Sequence, residues 1–200
     1  MKVFVCDISN VSSDSLDKAA SFLSLSEKER LQSMISVKRQ REFIAGHYLL
    51  RMVLSCHYNR PIETLDVQTL QSGALFLTDR SLGYVSLSHS FEHVAIALGA
   101  EPLGLDMEKM RPKNNFNEIL EQIDSVKAAG ELMKQGFSLQ ESFFRLWTKR
   151  EAVYKLNSLI EVPNKEKIHF SYHKNNDFIL CVAANKELDV SWEKVEFEKC

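Results

Sequence analysis

With 200 residues, 44% of them hydrophobic and 26% charged, the chain suits one compact domain or two small halves packed together. Its formal net charge of −2 argues against bulk attraction to nucleic acid or to an acidic membrane surface. No stretch approaches the roughly 20 apolar residues of a membrane span, and the short run at Met1–Asp7 does not make a secretory signal, so a soluble, cytoplasmic protein is expected.

The first residues, Lys2 to Ile8, read as a strand. Ser26-Glu27-Lys28-Glu29 matches a capping box, with Ser26 as N-cap and Glu29 reaching back. It predicts one long helix to about His57, closed by Pro61, in which Phe43, Ile44, His47, Leu50, Met52 and Leu54 follow helical spacing. Residues 62–83 give no clear pattern. Val85–Ser88, Val94–Gly99 and Leu103–Met107 read as three strands, with Glu101-Pro102 as a tight turn between the last two. A helical stretch is expected over residues 115–135. A second capping pattern, Ser138 with Glu141, starts another helix running through Lys155. Strands return at Ile168–Tyr172, Phe178–Ala184 and Val190–Phe197. This order predicts an α+β fold, readable as two similar halves, 1–100 and 101–200, each a small antiparallel sheet packed with helices. Cys6, Cys56, Cys181 and Cys200 are spaced too irregularly for a zinc ribbon or a Cys-x-x-Cys pair, which fits a reduced compartment; Cys200 does not form a prenylation box.

Two stretches carry the chemistry. In Gly104-Leu105-Asp106-Met107-Glu108, alternation along a strand puts Asp106 and Glu108 on one face and Leu105 and Met107 toward the core. Two carboxylates this close repel unless a cation or base lies between them, and oxygen donors favour Mg²⁺ or Mn²⁺ over zinc. The ordinary alternative is a charged, solvated strand edge. In Trp147-Thr148-Lys149-Arg150-Glu151-Ala152-Val153-Tyr154-Lys155, helical spacing puts Trp147, Glu151 and Lys155 on one face. Glu151 would supply a third carboxylate and Lys155 would meet an anionic substrate. The alternative is an exposed Glu-to-Lys helix pair, with Phe143, Phe144 and Trp147 as simple core.

Gly-apolar-Asp-apolar-Glu followed by Trp-Thr-x-x-Glu-Ala-x-x-Lys resembles the 4′-phosphopantetheinyl transferases, in particular the monomeric surfactin-synthetase-activating type and its short bacterial members called holo-ACP synthase 2. Ser86-Leu87-Ser88-His89-Ser90 and the basic helix stretch Arg39 to His47, ending in Ala45-Gly46-His47, resemble two further motifs of the family, in the same order. The resemblance spans roughly residues 25 to 160. It implies a pseudo-dimer of two α+β halves with coenzyme A in the cleft between them. The implied reaction is that of a holo-[acyl-carrier-protein] synthase: Mg²⁺-dependent transfer of 4′-phosphopantetheine from coenzyme A to a serine of an apo acyl, polyketide or peptidyl carrier protein, releasing 3′,5′-ADP. Such an enzyme serves fatty-acid, polyketide or peptide biosynthesis.

On that resemblance Asp106, Glu108 and Glu151 are metal ligands, and Mn²⁺ is an alternative ion. Lys155 contacts the phosphate being transferred, and His89 and Arg41 bind the 3′-phosphate of coenzyme A. Ser88 and Ser90 shape that site, and Lys28 is a further cation for it. Arg30, Lys38 and Arg39 are looser candidates. The serine proton goes to a metal-bound water, to a ligand carboxylate or to Glu131. The family has Lys before the motif Glu where this chain has Arg150, a Gly-basic-Pro stretch where it has Gly73-Ala74-Leu75, and often a Glu where it has Ala128, one turn from Glu131. Two other readings compete: a coenzyme A or carrier-binding module with decayed catalysis, and a metal-dependent nuclease or phosphohydrolase.

Overall fold

The computed structural model describes residues 1–160, 167–175 and 177–199; Cys200 lies outside them. In chain order, strand β1 (Lys2–Asp7) leads to helices α1 (Ser13–Ser21), α2 (Leu25–Gln32) and α3 (Val37–Tyr58). Two short strands, β2 (Val67–Thr69) and β3 (Leu75–Leu77), precede β4 (Tyr84–Ser90), β5 (His93–Gly99) and β6 (Leu103–Lys109). Helices α4 (Phe116–Gln122), α5 (Val126–Lys134) and α6 (Leu139–Asn157) are followed by β7 (His169–Asn175), β8 (Phe178–Ala184) and β9 (Ser191–Lys194). The class is α+β.

The single helix expected over residues 26–57 is two helices, and the capping box starts two residues earlier than the Ser26 pattern. Ser24 Oγ accepts from the Glu27 amide at 3.2 Å, and Glu27 Oε2 accepts from the Ser24 amide at 2.7 Å. Both patterns satisfy Ser-x-x-Glu; the tertiary fold selects Glu27 because Arg51 and His47 hold its carboxylate in the interior. The break between α2 and α3 comes from serines that cap better than they propagate. Ser33 Oγ donates to the Arg30 carbonyl at 2.7 Å, and Ser36 Oγ accepts from the Arg39 amide at 3.4 Å. The helical stretch at 115–135 is likewise two helices, α4 and α5, broken where Asp124 takes a left-handed φ of 51°. Helix α1, absent from the sequence reading, is capped by Ser12.

Three sheets form among the described residues. One has the order β4-β5-β1-β9, another β6-β8-β7, and β2 pairs with β3. All pairings are antiparallel except β1 with β9, which is parallel. Residues of β9 therefore return from the end of the chain to complete the sheet built by the first hundred residues. Alternation along the strands sorts the core into layers. Phe4, Cys6, Val85, Val94 and Ile96 pack under α3 with Leu49, Leu50, Val53 and Leu54. Val3, Ala95 and Ala97 face Leu105, Met107, Leu180 and Val182 of the other sheet. Cys181 and Ala183, on the far side of β8, pack with Ala152 and Leu156 of α6. Among the described residues no helix is long and apolar enough to cross a membrane.

Candidate active site

β4 and β6 are edge strands of different sheets, and side chains, not a backbone ladder, join them. Ser86, Ser88 and Ser90 project from one face of β4 at the two-residue period of a strand. Their hydroxyls accept the β6 amides of Leu105, Met107 and Lys109 at 2.9, 3.1 and 3.2 Å. Two of these hydroxyls also donate onward, Ser88 to Asp106 Oδ1 and Ser90 to Glu108 Oε2, each at 2.9 Å. The serine ladder thus closes the seam and sets the rotamers of both carboxylates.

Helix α6 reaches this seam because residue 104 is glycine. A Cβ there would lie 1.9 Å from the Ala152 carbonyl oxygen and 2.7 Å from the Leu156 nitrogen, so α6 and β6 touch backbone to backbone. That contact brings Lys155 over β6. Its ammonium donates to Asp106 Oδ1 at 2.9 Å, to the Leu105 carbonyl at 2.8 Å and to the Leu87 carbonyl at 3.4 Å. Trp147 instead packs into the aromatic core, stacked on Phe143.

Asp106 is 6% exposed, so the reading of a solvated strand edge does not hold. Its second oxygen, Oδ2, is buried with no hydrogen-bond partner. A buried carboxylate oxygen left unpaired is costly, by about 1–3 kcal/mol or more for a charged group. Burial is the main reason that both Glu108 and Glu151 hold their protons more tightly than an ordinary carboxyl, and the charge of Asp106 adds to it. Lys113 and Arg111 act in the opposite sense on Glu108, and Lys155 and Arg150 on Glu151. Asp106 is therefore the member that both glutamates sense. In kind, the carboxylates of Asp106, Glu108 and Glu151 are the donors that a hard divalent cation uses. Among the described residues, no three Asp, Glu, His or Cys side chains already stand together as a metal-holding group.

Asp106 and Lys155 form the floor of a cleft of about 260 Å³ whose walls include Arg30, Phe43, His47, Gly73, Ser88 and His89. His89 Nδ1 lies 3.2 Å from Glu42 Oε2, and Glu42 also accepts from the Glu92 amide at 3.1 Å. Burial pushes the Glu42 carboxyl up, but the His89 hydrogen bond, the Glu92 amide and the charges of His89 and Lys38 hold it below the usual range. Ser88 and His89 point to opposite faces of β4, the first to Asp106 and the second to α3, so they do not form a nucleophilic pair.

Lys28 and Arg41 are not in this lining. Lys28 reaches the Ser21 carbonyl at 3.4 Å and Arg41 the Val11 carbonyl at 2.9 Å. The reason is helical phase: Phe43 and His47 lie one turn apart on the cleft side of α3, and Arg41, two residues before Phe43, is rotated by about 200°. Arg30 takes the cationic position instead, its guanidinium 5.5 Å from the Phe43 ring centre. Glu131 sits on an exposed stretch of α5, paired with Lys134 at 2.9 Å, with Ala128 exposed beside it. His47 was legible only as one position of an apolar helix face. Its role depends on Glu27, twenty residues away, which no local pattern connects to it.

No protein-family model matches the chain. Among curated proteins it is 28% identical over 144 residues to the 4′-phosphopantetheinyl transferase psf-1 of Bacillus pumilus, covering 72% of this chain and 60% of that protein. It is 24% identical over 146 residues to the 4′-phosphopantetheinyl transferase Sfp of Bacillus subtilis, covering 72% of this chain and 64% of that protein. The 4′-phosphopantetheinyl transferase AcpT of Escherichia coli is 29% identical over 119 residues, covering 58% of this chain and 57% of that protein. The matched region thus spans less than two thirds of these relatives' length. The chain, whose Gly-x-Asp-x-Glu strand and Glu-x-x-x-Lys helix meet across the β4–β6 seam, is thus similar over most of its length to several 4′-phosphopantetheinyl transferases.

Proposed function

We propose that the chain transfers the 4′-phosphopantetheine group of coenzyme A to a serine hydroxyl of an apo acyl, polyketide or peptidyl carrier protein, with Mg²⁺ as cofactor and 3′,5′-ADP as the other product. The observation that carries this reading is Asp106: a buried carboxylate with one oxygen held by Ser88 and Lys155 and the other unpaired, at the floor of a cleft. The lining of that cleft draws on residues 1–100 and on residues 101–200. A divalent cation bound by Asp106, Glu108 and Glu151 would neutralise pyrophosphate charge and orient it for displacement. Mn²⁺ would serve in the same donor set.

The chain's own groups have separable tasks. Lys155, fixed by two backbone carbonyls, holds positive charge where negative charge develops on the transferring phosphate. His89, oriented by Glu42, and Arg30 receive the phosphates of the nucleotide end. Ser88 and Ser90 keep the carboxylates aimed. The serine proton would pass to one of the carboxylates of this site. The enzyme acts as a soluble, cytoplasmic monomer.

Purified protein, Mg²⁺, coenzyme A and a panel of apo carriers, read by intact mass, tests this. A pantetheine-sized gain on a carrier is the expected result. Coenzyme A binding with no gain on any carrier would instead support a binding module with decayed catalysis, a reading favoured by the commitment of Glu131 to Lys134 on the surface.

A further inference from the structure

Edge strands β4 and β6 are joined by the serine ladder; at the other edges of the same two sheets, β9 and β7, the contact is aromatic. The rings of Trp192 and His173 stack there, 4.8 Å apart with 18° between their planes. Both line a pocket of about 330 Å³ that shares no residue with the cleft over Asp106. Its apolar lining includes Met107, Phe178 and Leu180, members of the core between the two sheets. A space of this size suits a molecule of one or two rings. Met107 alternates with Asp106 and Glu108 along β6, so the pocket lies on the reverse face of the strand that bears the carboxylates.

Two acceptors face each other in this pocket. Asp7 and His93 are direct partners in the β1–β5 register. The hairpin before His93 turns on Phe91 and Glu92, both left-handed at φ 47° and 61°. The Glu92 amide donates to Glu42 Oε1 at 3.1 Å and the Ile8 amide to the Glu92 carbonyl at 2.8 Å, which holds that turn. The turn sets the Phe91 carbonyl 3.1 Å from His93 Nδ1. A carbonyl only accepts, so Nδ1 carries the hydrogen and Nε2 of the neutral ring offers a lone pair. Opposite Nε2, at 3.9 Å, is Asp7 Oδ2. Asp7 Oδ1 accepts from the Ser9 amide at 2.9 Å, and that bond chiefly holds the carboxyl below its usual range, so Oδ2 belongs to an anion. At 3.9 Å these two atoms do not bond each other. A nitrogen about 2.9 Å from each would see them roughly 85° apart, an angle that two N–H bonds of one ammonium can serve.

The walls suit the rest of such a molecule. His93 packs on Phe178 with ring centres 4.2 Å apart, so each sheet supplies aromatic rings to the pocket: His93 and Trp192 from one, His173 and Phe178 from the other. Their faces attract cations. Among the charged residues of the lining, Asp7 and Glu193 stand against Lys194. Glu193 has Lys2 at 3.7 Å, which leaves Asp7 as the carboxylate open to a ligand. We propose that this pocket binds a small aromatic amine, its protonated amino group bridging Asp7 Oδ2 and His93 Nε2 and its ring lying among Phe178, Leu180 and Trp192. The site stands apart from the transfer reading above and requires nothing of it.

Three probes of one shape test this: 2-phenylethylamine, 2-phenylethanol and phenylacetate, titrated into the whole protein by calorimetry and by amide NMR. The amine should bind at least about 10-fold more tightly than the alcohol, because its hydrogen bonds are charge-assisted, and phenylacetate should bind most weakly. The amine should shift the amide signals of Asp7, His93 and Trp192 and leave those of His89 and Lys155 in place. Asp7→Asn should weaken the amine by about 10-fold or more while the alcohol stays within about threefold. His93→Phe keeps a ring against Phe178 but has no lone pair, and should weaken the amine several-fold. Equal affinity for amine and alcohol, or tighter binding of phenylacetate, overturns the proposal on the unaltered protein, whatever a variant does to folding. Amine affinity unchanged by Asp7→Asn overturns it as well, and so does absence of amine binding up to about 10 mM. Shifts confined to His89 and Lys155 would place the amine on the carboxylates of the cleft and remove the pocket as its site.

Discussion

Two clusters of buried charge border the cleft, through His47 and through Asp106, and they are built on opposite principles. In the first, Glu27, His47 and Arg51 are each about 3% exposed and satisfy one another. Arg51 grips both Glu27 oxygens at 3.1 and 2.8 Å, His47 Nδ1 meets Oε1 at 2.6 Å, and the Ser24 amide adds a fourth bond at 2.7 Å. In the second, Asp106 is also buried but has one oxygen without a partner, and two neighbouring glutamates are pushed toward their neutral forms. A closed network joins α2 to α3 and is structural. An open one holds a deficit of positive charge that something outside the chain can fill.

Replacing Asp106 by Asn tests that contrast most sharply. Transfer should fall by about 10²–10³-fold or more, the order seen when a single charge-stabilising group is removed, while the urea midpoint holds, because relief of the unpartnered oxygen offsets the lost ion pair with Lys155. A stable variant with full activity would sink the assignment of Asp106. The closed cluster should answer the other way. Arg51→Met leaves Glu27 buried with too few partners and should cost about 3–5 kcal/mol in urea unfolding, with transfer per folded molecule retained at low temperature. Gly104→Ala tests the contact that joins α6 to the open cluster. The methyl would meet the Ala152 carbonyl at 1.9 Å, so a loss of about 3 kcal/mol or more is expected, with transfer falling as Lys155 is pushed off Asp106. Ser88→Ala, which strips one bond each from Asp106 and the Met107 amide, should cost about 1–3 kcal/mol and lower transfer less than Asp106→Asn does.

Acid separates the clusters as well. Burial raises the Glu27 carboxyl, but the His47 hydrogen bond, the charges of His47 and Arg51 and the Ser24 amide outweigh it and bring the group to about 2, from an ordinary 4.5. A carboxyl depressed by folding contributes stability that is fully present above 4.5 and is lost as pH falls toward 2. His47 acts in the same direction from higher pH. Burial chiefly lowers its affinity for a proton, so the fold resists protonation that the unfolded chain accepts near 6.5. Urea midpoints should therefore decline from pH 7 to pH 3, and a Glu27→Gln variant should start lower and decline less. Parallel curves for the two proteins would remove Glu27 from this role.

Much of the candidate site was legible locally, because short-range geometry decides it. Strand alternation put Asp106 and Glu108 on one face, and helical spacing put Glu151 and Lys155 on another. The order of these motifs with Ser88-His89 carried the resemblance to the transferase superfamily. What local patterns did not carry were positions that depend on a partner far along the chain. Lys28 and Arg41 carry the right charge but the wrong helical phase for the cleft, and Arg30 stands there instead. The capping box moved from Ser26 to Ser24 because Glu27 is anchored by Arg51, a residue 24 positions away. The turn at Phe91 has no glycine or asparagine to announce it, since contacts from Glu42 and Ile8 hold it.

The amino-acid pattern by itself determined the α+β class, the strand that bears the carboxylates and the helix that bears Glu151 and Lys155, since burial period and capping are local properties. Only the tertiary structure decided that the serines of β4 zip to β6, that Asp106 is buried with an oxygen to spare, and that Asp7 and His93 face each other in a pocket. Each of these is a balance between groups distant in sequence, and the desolvation that gives it force exists only once the sheets and helices have closed around it.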